Sequence, residues 1–141
     1  MITEFQGKYR WLSNFWMSPM IIDGKTFVSN EQWYVYNKTT DEKARKHIMR
    51  LSKSRDIKRM GRTVKLRDDW DSIKVNAMWL GLYAKFTQNK ELKEKLIATG
   101  DQQLIEGNRW GDTFWGIDLR TNEGENCLGK LLMKLRSELK S

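Results

Sequence analysis

A chain of 141 residues fits one ordinary domain, residues 1–141, long enough to bury a real core. Hydrophobic residues make up 39% and charged residues 31%, a globular balance rather than a disordered one. A single Cys127 and a single His47 exclude an internal disulfide and the usual four-ligand Cys/His zinc site, while a formal charge of +8 favours phosphate-bearing partners.

No run approaches the ~18 apolar residues that a membrane span requires. The opening Met1-Ile2-Thr3-Glu4-Phe5 lacks the basic-then-apolar pattern of a secretion signal. With one cysteine, these features predict a cytoplasmic protein that makes no use of a membrane. No GxGxxG or GxxxxGK[ST] loop occurs. A Ser-His-Asp or Cys-His arrangement would have to run through His47, which lies in a basic stretch and reads as a solvated side chain. Catalysis then falls to Asp, Glu, Lys, Arg and aromatics.

Residues 19–28 read as two short strands joined at Asp23-Gly24, the favoured two-residue hairpin turn. Ser29 fits a helix N-cap, with Gln32 completing a capping box, and predicts a helix over 30–38. Asp41 is the next cap, and Ala44, Ile48 and Leu51 mark the buried stripe of a second helix. Ser54 caps a short third helix that stops at Gly61. The longest helix starts after Asp68 or Asp69 and runs to about Gln88, with Ile73, Ala77, Leu80 and Ala84 as its stripe, widened by Trp70, Met78 and Phe86. Asn89 opens a helix through Leu92, Leu96 and Ile97 that Gly100 ends. Residues 104–119 read as loops with one or two short strands, and the last helix covers 125–139. The expected fold is a compact, mainly α domain with a small β-hairpin near the N-terminus.

The positive charge is local. Lys43, Arg45, Lys46, Arg50, Lys53, Arg55, Lys58, Arg59, Arg62, Lys65 and Arg67 stand against Asp56 alone between 43 and 67. Such a field attracts phosphate on a metabolite or along nucleic acid, although most of these side chains read as a solvated face. Seven tryptophans exceed what a small core needs, so one or two are expected to stack on a flat ring. Charge and Trp together also fit another reading, a non-catalytic nucleic-acid-binding domain.

Glu31 falls in the first turn of the helix capped by Ser29, where free N–H groups and the dipole favour a carboxylate. Lys38 follows seven residues later on the same face, with Tyr34 between them. That row brackets a sugar or is an ordinary amphipathic surface; spacing alone fits both. Glu106, Asp112, Trp115 and Gly116 form a second group, in a glycine-rich segment suited to a ring-binding wall. Asn126 opens the last helix, where its amide caps that helix or meets a ligand.

These residues resemble the YbiA-like, or NADAR, proteins. The resemblance runs through Leu12-Ser13-Asn14-Phe15, Ser29-x-Glu31 with Tyr34 and Lys38, Gly61-Arg62, Arg67 and Trp70, and Lys85-Phe86-x-Gln88-Asn89. It continues through Thr99-Gly100-Asp101 with Leu104 and Glu106, Asp112-x-x-Trp115-Gly116, and Asn126-x-Leu128-Gly129-x-x-Leu132-Met133. It implies a YbiA-like helical fold and N-glycoside hydrolysis without metal or organic cofactor. The implied substrate is a ribosylaminopyrimidine 5′-phosphate of riboflavin synthesis or an ADP-ribosylated guanine, free or in nucleic acid. By the same resemblance Glu31, Lys38 and Asp112 are the catalytic candidates. Asn14, Tyr34, Arg62, Arg67, Trp70, Lys85, Glu106, Trp115, Gly116 and Asn126 are the expected substrate-binding set. Gln32, Val35 and the Ile117-Asp118 that follows Trp115-Gly116 depart from the family pattern and bear on substrate choice.

Both implied substrates join ribose C1 to an exocyclic amine nitrogen. Such a ribosylamine can open to an imine, which a neutral lysine attacks to hold the sugar as a Schiff base. Lys38 is the expected nucleophile and Lys85 the reserve; in the other route water attacks C1 directly and Lys38 binds phosphate.

Overall fold

The computed structural model describes every residue, Met1–Ser141. Six α-helices, one 3-10 helix and two two-stranded sheets make the protein mainly helical, with the hairpin where the sequence predicts it. The chain divides into two compact units, Asn14–Gln88 and Met1–Ser13 with Asn89–Ser141.

Asn14–Gln88 opens with the antiparallel pair β1 (Met17–Ile22) and β2 (Lys25–Ser29). Asp23 and Gly24 sit at φ 51 and 77, the two positive values that a type I′ turn requires. Helix α1 (Asn30–Asn37) follows at once, and Ser29 Oγ accepts from Gln32 N at 3.2 Å. Gln32 closes the cap one residue early, accepting from Val28 N at 2.7 Å rather than from Ser29 N. Its buried amide also donates to the carbonyls of Ile48 and Leu51, which ties α1 to the end of α2 (Glu42–Arg50). Asp41 Oδ2 caps α2 by accepting from Ala44 N at 3.0 Å.

Helix α3 (Ser54–Thr63) departs from expectation at both ends. Lys53 is the N-cap residue, with no side-chain cap, and the helix runs past Gly61. A Cβ at Gly61 would stand 3.0 Å from Val35 Cγ2, so the missing side chain lets α3 approach α1 rather than ending a helix. Val35, Ile48 and Ile57 form one core cluster, and Met20, Phe27, Trp33 and Ala84 form another.

Helix α4 (Trp70–Gln88) buries Trp70, Ala77, Met78, Gly81, Leu82, Ala84, Lys85 and Phe86. Leu80, expected in the stripe, is 45% exposed. Gly81 takes the inward position beside it, because a Cβ there would collide with Asn30 Oδ1 of α1. Helix contact here favours the smallest residue over the most apolar one.

The other unit begins with a 3-10 helix (Gly7–Leu12) that hydrophobic periodicity does not predict. Helix α5 (Lys90–Ala98) packs on α6 (Cys127–Lys140), with Leu92, Leu96, Leu128, Leu132 and Leu135 buried. Buried Arg136 donates to Thr99 Oγ1 and the Gln102 carbonyl at 3.0 and 2.8 Å, which satisfies part of its desolvated guanidinium. The glycine-rich segment supplies two dipeptide strands, β3 (Gly107–Asn108) and β4 (Ile117–Asp118), paired in parallel. No helix is long and apolar enough to cross a membrane.

Candidate active site

Each unit carries one cluster of the candidate residues. In Asn14–Gln88 the cluster grows from the first turn of α1. The Asn14 carbonyl accepts from Glu31 N at 3.0 Å, and Asn14 Oδ1 accepts from Asn30 Nδ2 at 2.8 Å. Asn14 thus fixes the turn that carries Glu31.

Lys38 is the C-cap residue of α1, and its Nζ donates to the Gly61 carbonyl at 3.0 Å. The same Nζ lies 5.3 Å from the centre of the Tyr34 ring. That ring meets Trp70 edge-on, with centroids 5.0 Å apart. Glu31 Oε2 and Lys38 Nζ both come within 4 Å of the point where a Gly61 Cβ would stand. The predicted row of carboxylate, aromatic and amine therefore forms, with α3 as its floor. Burial pulls the Lys38 amine below its usual range, and the Glu31 charge partly restores it.

Lys85 is wholly buried on α4, with Nζ 5.0 Å from the Phe86 ring centre. Loss of hydration pushes its amine down to about 7. Arg67 touches Lys38 through the backbone, donating N–H to the Lys38 carbonyl at 2.7 Å. Its guanidinium grips Asp69, with Nε 2.6 Å from Oδ1. Arg67, Lys65 and Thr39 line a cleft of about 580 Å³. Arg62 projects from α3 and is exposed, as are Lys43, Lys46, Arg50, Lys58, Arg59 and His47.

The second cluster lies in the glycine-rich segment. Glu106 N donates to Asn126 Oδ1 at 2.9 Å, and Asn126 Nδ2 donates to the Leu104 carbonyl at 2.9 Å. Asn126 sits at φ 52 and makes no side-chain cap on α6. Its buried amide instead clamps the backbone on both sides of Ile105. Glu106 Oε2 accepts from Asn108 Nδ2 at 3.1 Å. A Cβ on Gly116 would overlap Glu106 Oε2, so glycine there is what admits the carboxyl.

Asp112 Oδ1 accepts from the N–H groups of Phe114 and Trp115 at 3.1 and 2.9 Å. The Trp115 ring is half-buried and stands edge-on to Phe114, with centroids 4.8 Å apart. Burial, with help from the Asp112 charge, pushes the Glu106 carboxyl up to about 7, against the hydrogen bond from Asn108.

Two residues that organise these clusters escape sequence reasoning. Asn108 binds Glu106 and also clamps the Asp112 backbone, donating to its carbonyl at 2.8 Å and accepting from its N–H at 3.0 Å. Its signal is its place two residues after Glu106 and four before Asp112. Gly61 falls inside a family motif but reads as a helix stop, whereas it forms the floor beneath Lys38.

The NADAR domain model matches residues 3–140, nearly the whole chain. The chain belongs to the NADAR domain family. It is 41% identical over 129 residues to "N-glycosidase YbiA" of Escherichia coli (strain K12), covering 90% of this chain and 79% of that protein. It is 34% identical over 130 residues to a "Riboflavin biosynthesis protein" of Vibrio vulnificus (strain YJ016), covering 91% of this chain and 35% of that one. The NMR structure of the E. coli protein YbiA superposes with a TM-score of 0.88 at 38% identity, over 99% of this chain and 83% of that one. The YbiA-like helical fold of a NADAR protein is thereby shown.

Proposed function

We propose that this NADAR protein is an N-glycosidase that hydrolyses the bond between ribose C1 and an exocyclic amine nitrogen. The carrying observation is that Glu31 Oε2 and Lys38 Nζ both lie within 4 Å of the Gly61 Cβ position, with the lysine amine lowered by burial. An amine below its usual range is neutral more often, and only a neutral amine attacks carbon. The relatives named N-glycosidase support the reaction class. The relative named for riboflavin biosynthesis supports a ribosylaminopyrimidine 5′-phosphate as substrate.

In this reading residues 1–141 act as one cytoplasmic NADAR domain. Lys38 attacks C1 of the ring-opened ribosylamine, the amine departs, and water releases the sugar from the Schiff base. Glu31 stabilises positive charge on the sugar, and Asp112 organises the loop that carries Trp115. Tyr34 and Trp70 offer ring faces to the sugar or base, and Arg62 and Arg67 offer guanidinium groups to phosphate.

The exposed basic residues of α2 and α3 favour a second substrate, ADP-ribosylated guanine within nucleic acid. Ribosylaminopyrimidine 5′-phosphate and an ADP-ribosyl-guanine oligonucleotide offered side by side, with borohydride present, test the whole reading. The expected result is release of the free amine from at least one of them and a reduced ribosyl adduct on Lys38. Turnover with no adduct, together with full activity in Lys38→Ala, would leave direct attack by water as the route.

A further inference from the structure

Asn30 opens α1 and is wholly buried, and its Oδ1 has no hydrogen-bond partner. A buried amide oxygen in that state gives up its hydration and gains nothing for it. An apolar side chain would fill the same place without that loss, so packing alone gives no reason for an asparagine. Its N–H groups do.

Asn30 Nδ2 donates to Asn14 Oδ1 at 2.8 Å and to Met78 Sδ at 3.4 Å. Asn14 Nδ2 donates to the same sulfur at 3.5 Å, so two amides and a thioether of α4 close into one ring of contacts. The Asn14 carbonyl in turn accepts from Glu31 N at 3.0 Å, one of the N–H groups that the first turn of a helix leaves without an internal partner. Gly81 follows Met78 by three residues on the same face of α4, and a Cβ there would overlap Asn30 Oδ1. The glycine is the notch that receives the amide. Every group in this chain of contacts lies within the unit Asn14–Gln88.

We infer that Asn30 is a positioning residue for Glu31. Seated against Gly81, its amide holds Asn14, and Asn14 holds the turn that carries Glu31. Its effect on turnover rests on the N-glycosidase reading, whereas its effect on the place of Glu31 does not. The Glu31 charge partly restores the Lys38 amine that burial lowers, so a displaced Glu31 registers on Lys38.

The test reads the Lys38 amine directly, by NMR titration of the Lys38 Cε resonance, assigned by its loss in Lys38→Met. Asn30→Ala, Asn14→Ala and their double variant are compared with the wild type. Glu31→Gln gives the limit in which the charge is gone. Phe27→Leu weakens the hairpin cluster and breaks no contact of this chain. Thermal transitions establish that each variant folds. In Asn30→Ala and in Asn14→Ala the Lys38 amine should titrate lower than in the wild type, toward its position in Glu31→Gln. The double variant should move it no further than the larger single shift, because both act through one bond. In Asn30→Ala kcat should fall on the order of tenfold, with KM near the wild-type value. Phe27→Leu should lower the thermal transition and leave the amine in place.

A Lys38 amine that keeps its wild-type titration in folded Asn30→Ala overturns the positioning role. Where Asn30→Ala does not fold, the same result in Asn14→Ala, whose side chain is only half-buried, overturns it instead. An equal shift in Phe27→Leu also overturns it, since any loosening of the fold would then suffice. None of these results touches the N-glycosidase reading. A shifted amine in a protein that releases no amine from either substrate upholds the placement of Glu31 and overturns that reading.

Discussion

Lys38 Nζ donates to the Gly61 carbonyl at 3.0 Å, so the amine at the end of α1 is anchored by the glycine of α3. The contact joins two requirements at one residue. Gly61 must present its carbonyl to Lys38 and must lack a Cβ, which would stand 3.0 Å from Val35 Cγ2 and 3.6 Å from Lys38 Nζ.

Gly61→Ala separates stability from activity. Alanine gains about 1 kcal/mol over glycine in a helix interior, and the squeeze on Val35 offsets it. The thermal transition should therefore move little. The amine has less room to give, and a shift of its position costs roughly ten- to a hundredfold in turnover. Melting curves and kcat on the same preparations check this; unchanged kcat would mean that Lys38 tolerates displacement.

Arg67 shows competition between an internal partner and a ligand. Its guanidinium already grips Asp69 at 2.6 Å, so a phosphate must share or displace that carboxylate. Arg67→Ala should raise KM for a phosphorylated substrate more than it lowers kcat. Asp69→Asn should lower KM by freeing the fork for phosphate. Equal effects of Arg67→Ala on a dephosphorylated analogue would return the residue to its structural role beside Lys38.

The helices were legible because each carries local signals. Ser29 and Asp41 do cap their helices, and Asp23-Gly24 does turn the hairpin. The Glu31, Tyr34 and Lys38 row was legible for the same reason, since helical spacing alone puts them on one side. What sequence could not give was tertiary approach. Gly61 reads as a stop and Gly81 lies outside the apolar stripe, but both permit close contact with α1. Asn126 reads as a cap, and the structure spends its amide on backbone twenty residues away. Parallel pairing of β3 with β4 leaves no periodicity in two-residue strands.

Gly116→Ala tests whether Glu106 depends on a missing side chain. The added Cβ would overlap both Glu106 Oε2 and the Glu106 carbonyl, and the latter is backbone that cannot rotate away. Destabilisation of about 1–3 kcal/mol is expected, as for other overpacked sites. Pairing it with Glu106→Ala removes only the side-chain overlap, so recovery of stability should be partial. Denaturant midpoints of the two single variants and the double variant measure this. Full recovery in the double variant would place the whole conflict at the carboxyl.

Lys85→Met tests the cost of the buried amine. The Lys85 amine stands at about 7 in the fold against 10.5 for an ordinary lysine. Between those values the unfolded chain holds a proton that the folded chain lacks. Stability contributed through this group therefore rises with pH from about 7 to about 10.5, and its penalty is full below about 7. The slope approaches about 1.4 kcal/mol per pH unit, and the total is on the order of a few kcal/mol. Methionine fills a similar volume and carries no proton. Lys85→Met should then be more stable than wild type at pH 6, with the advantage shrinking steadily toward pH 10. Glu106 has the opposite sense: it favours the fold at low pH and loses that contribution as pH rises from about 4.5 to about 7. That term is common to both proteins and cancels in their difference. Denaturant midpoints at pH 6, 8 and 9.5 read the difference directly. Parallel profiles for the two proteins would show that Lys85 takes up its proton inside the fold without penalty, and that its amine is not held neutral by burial.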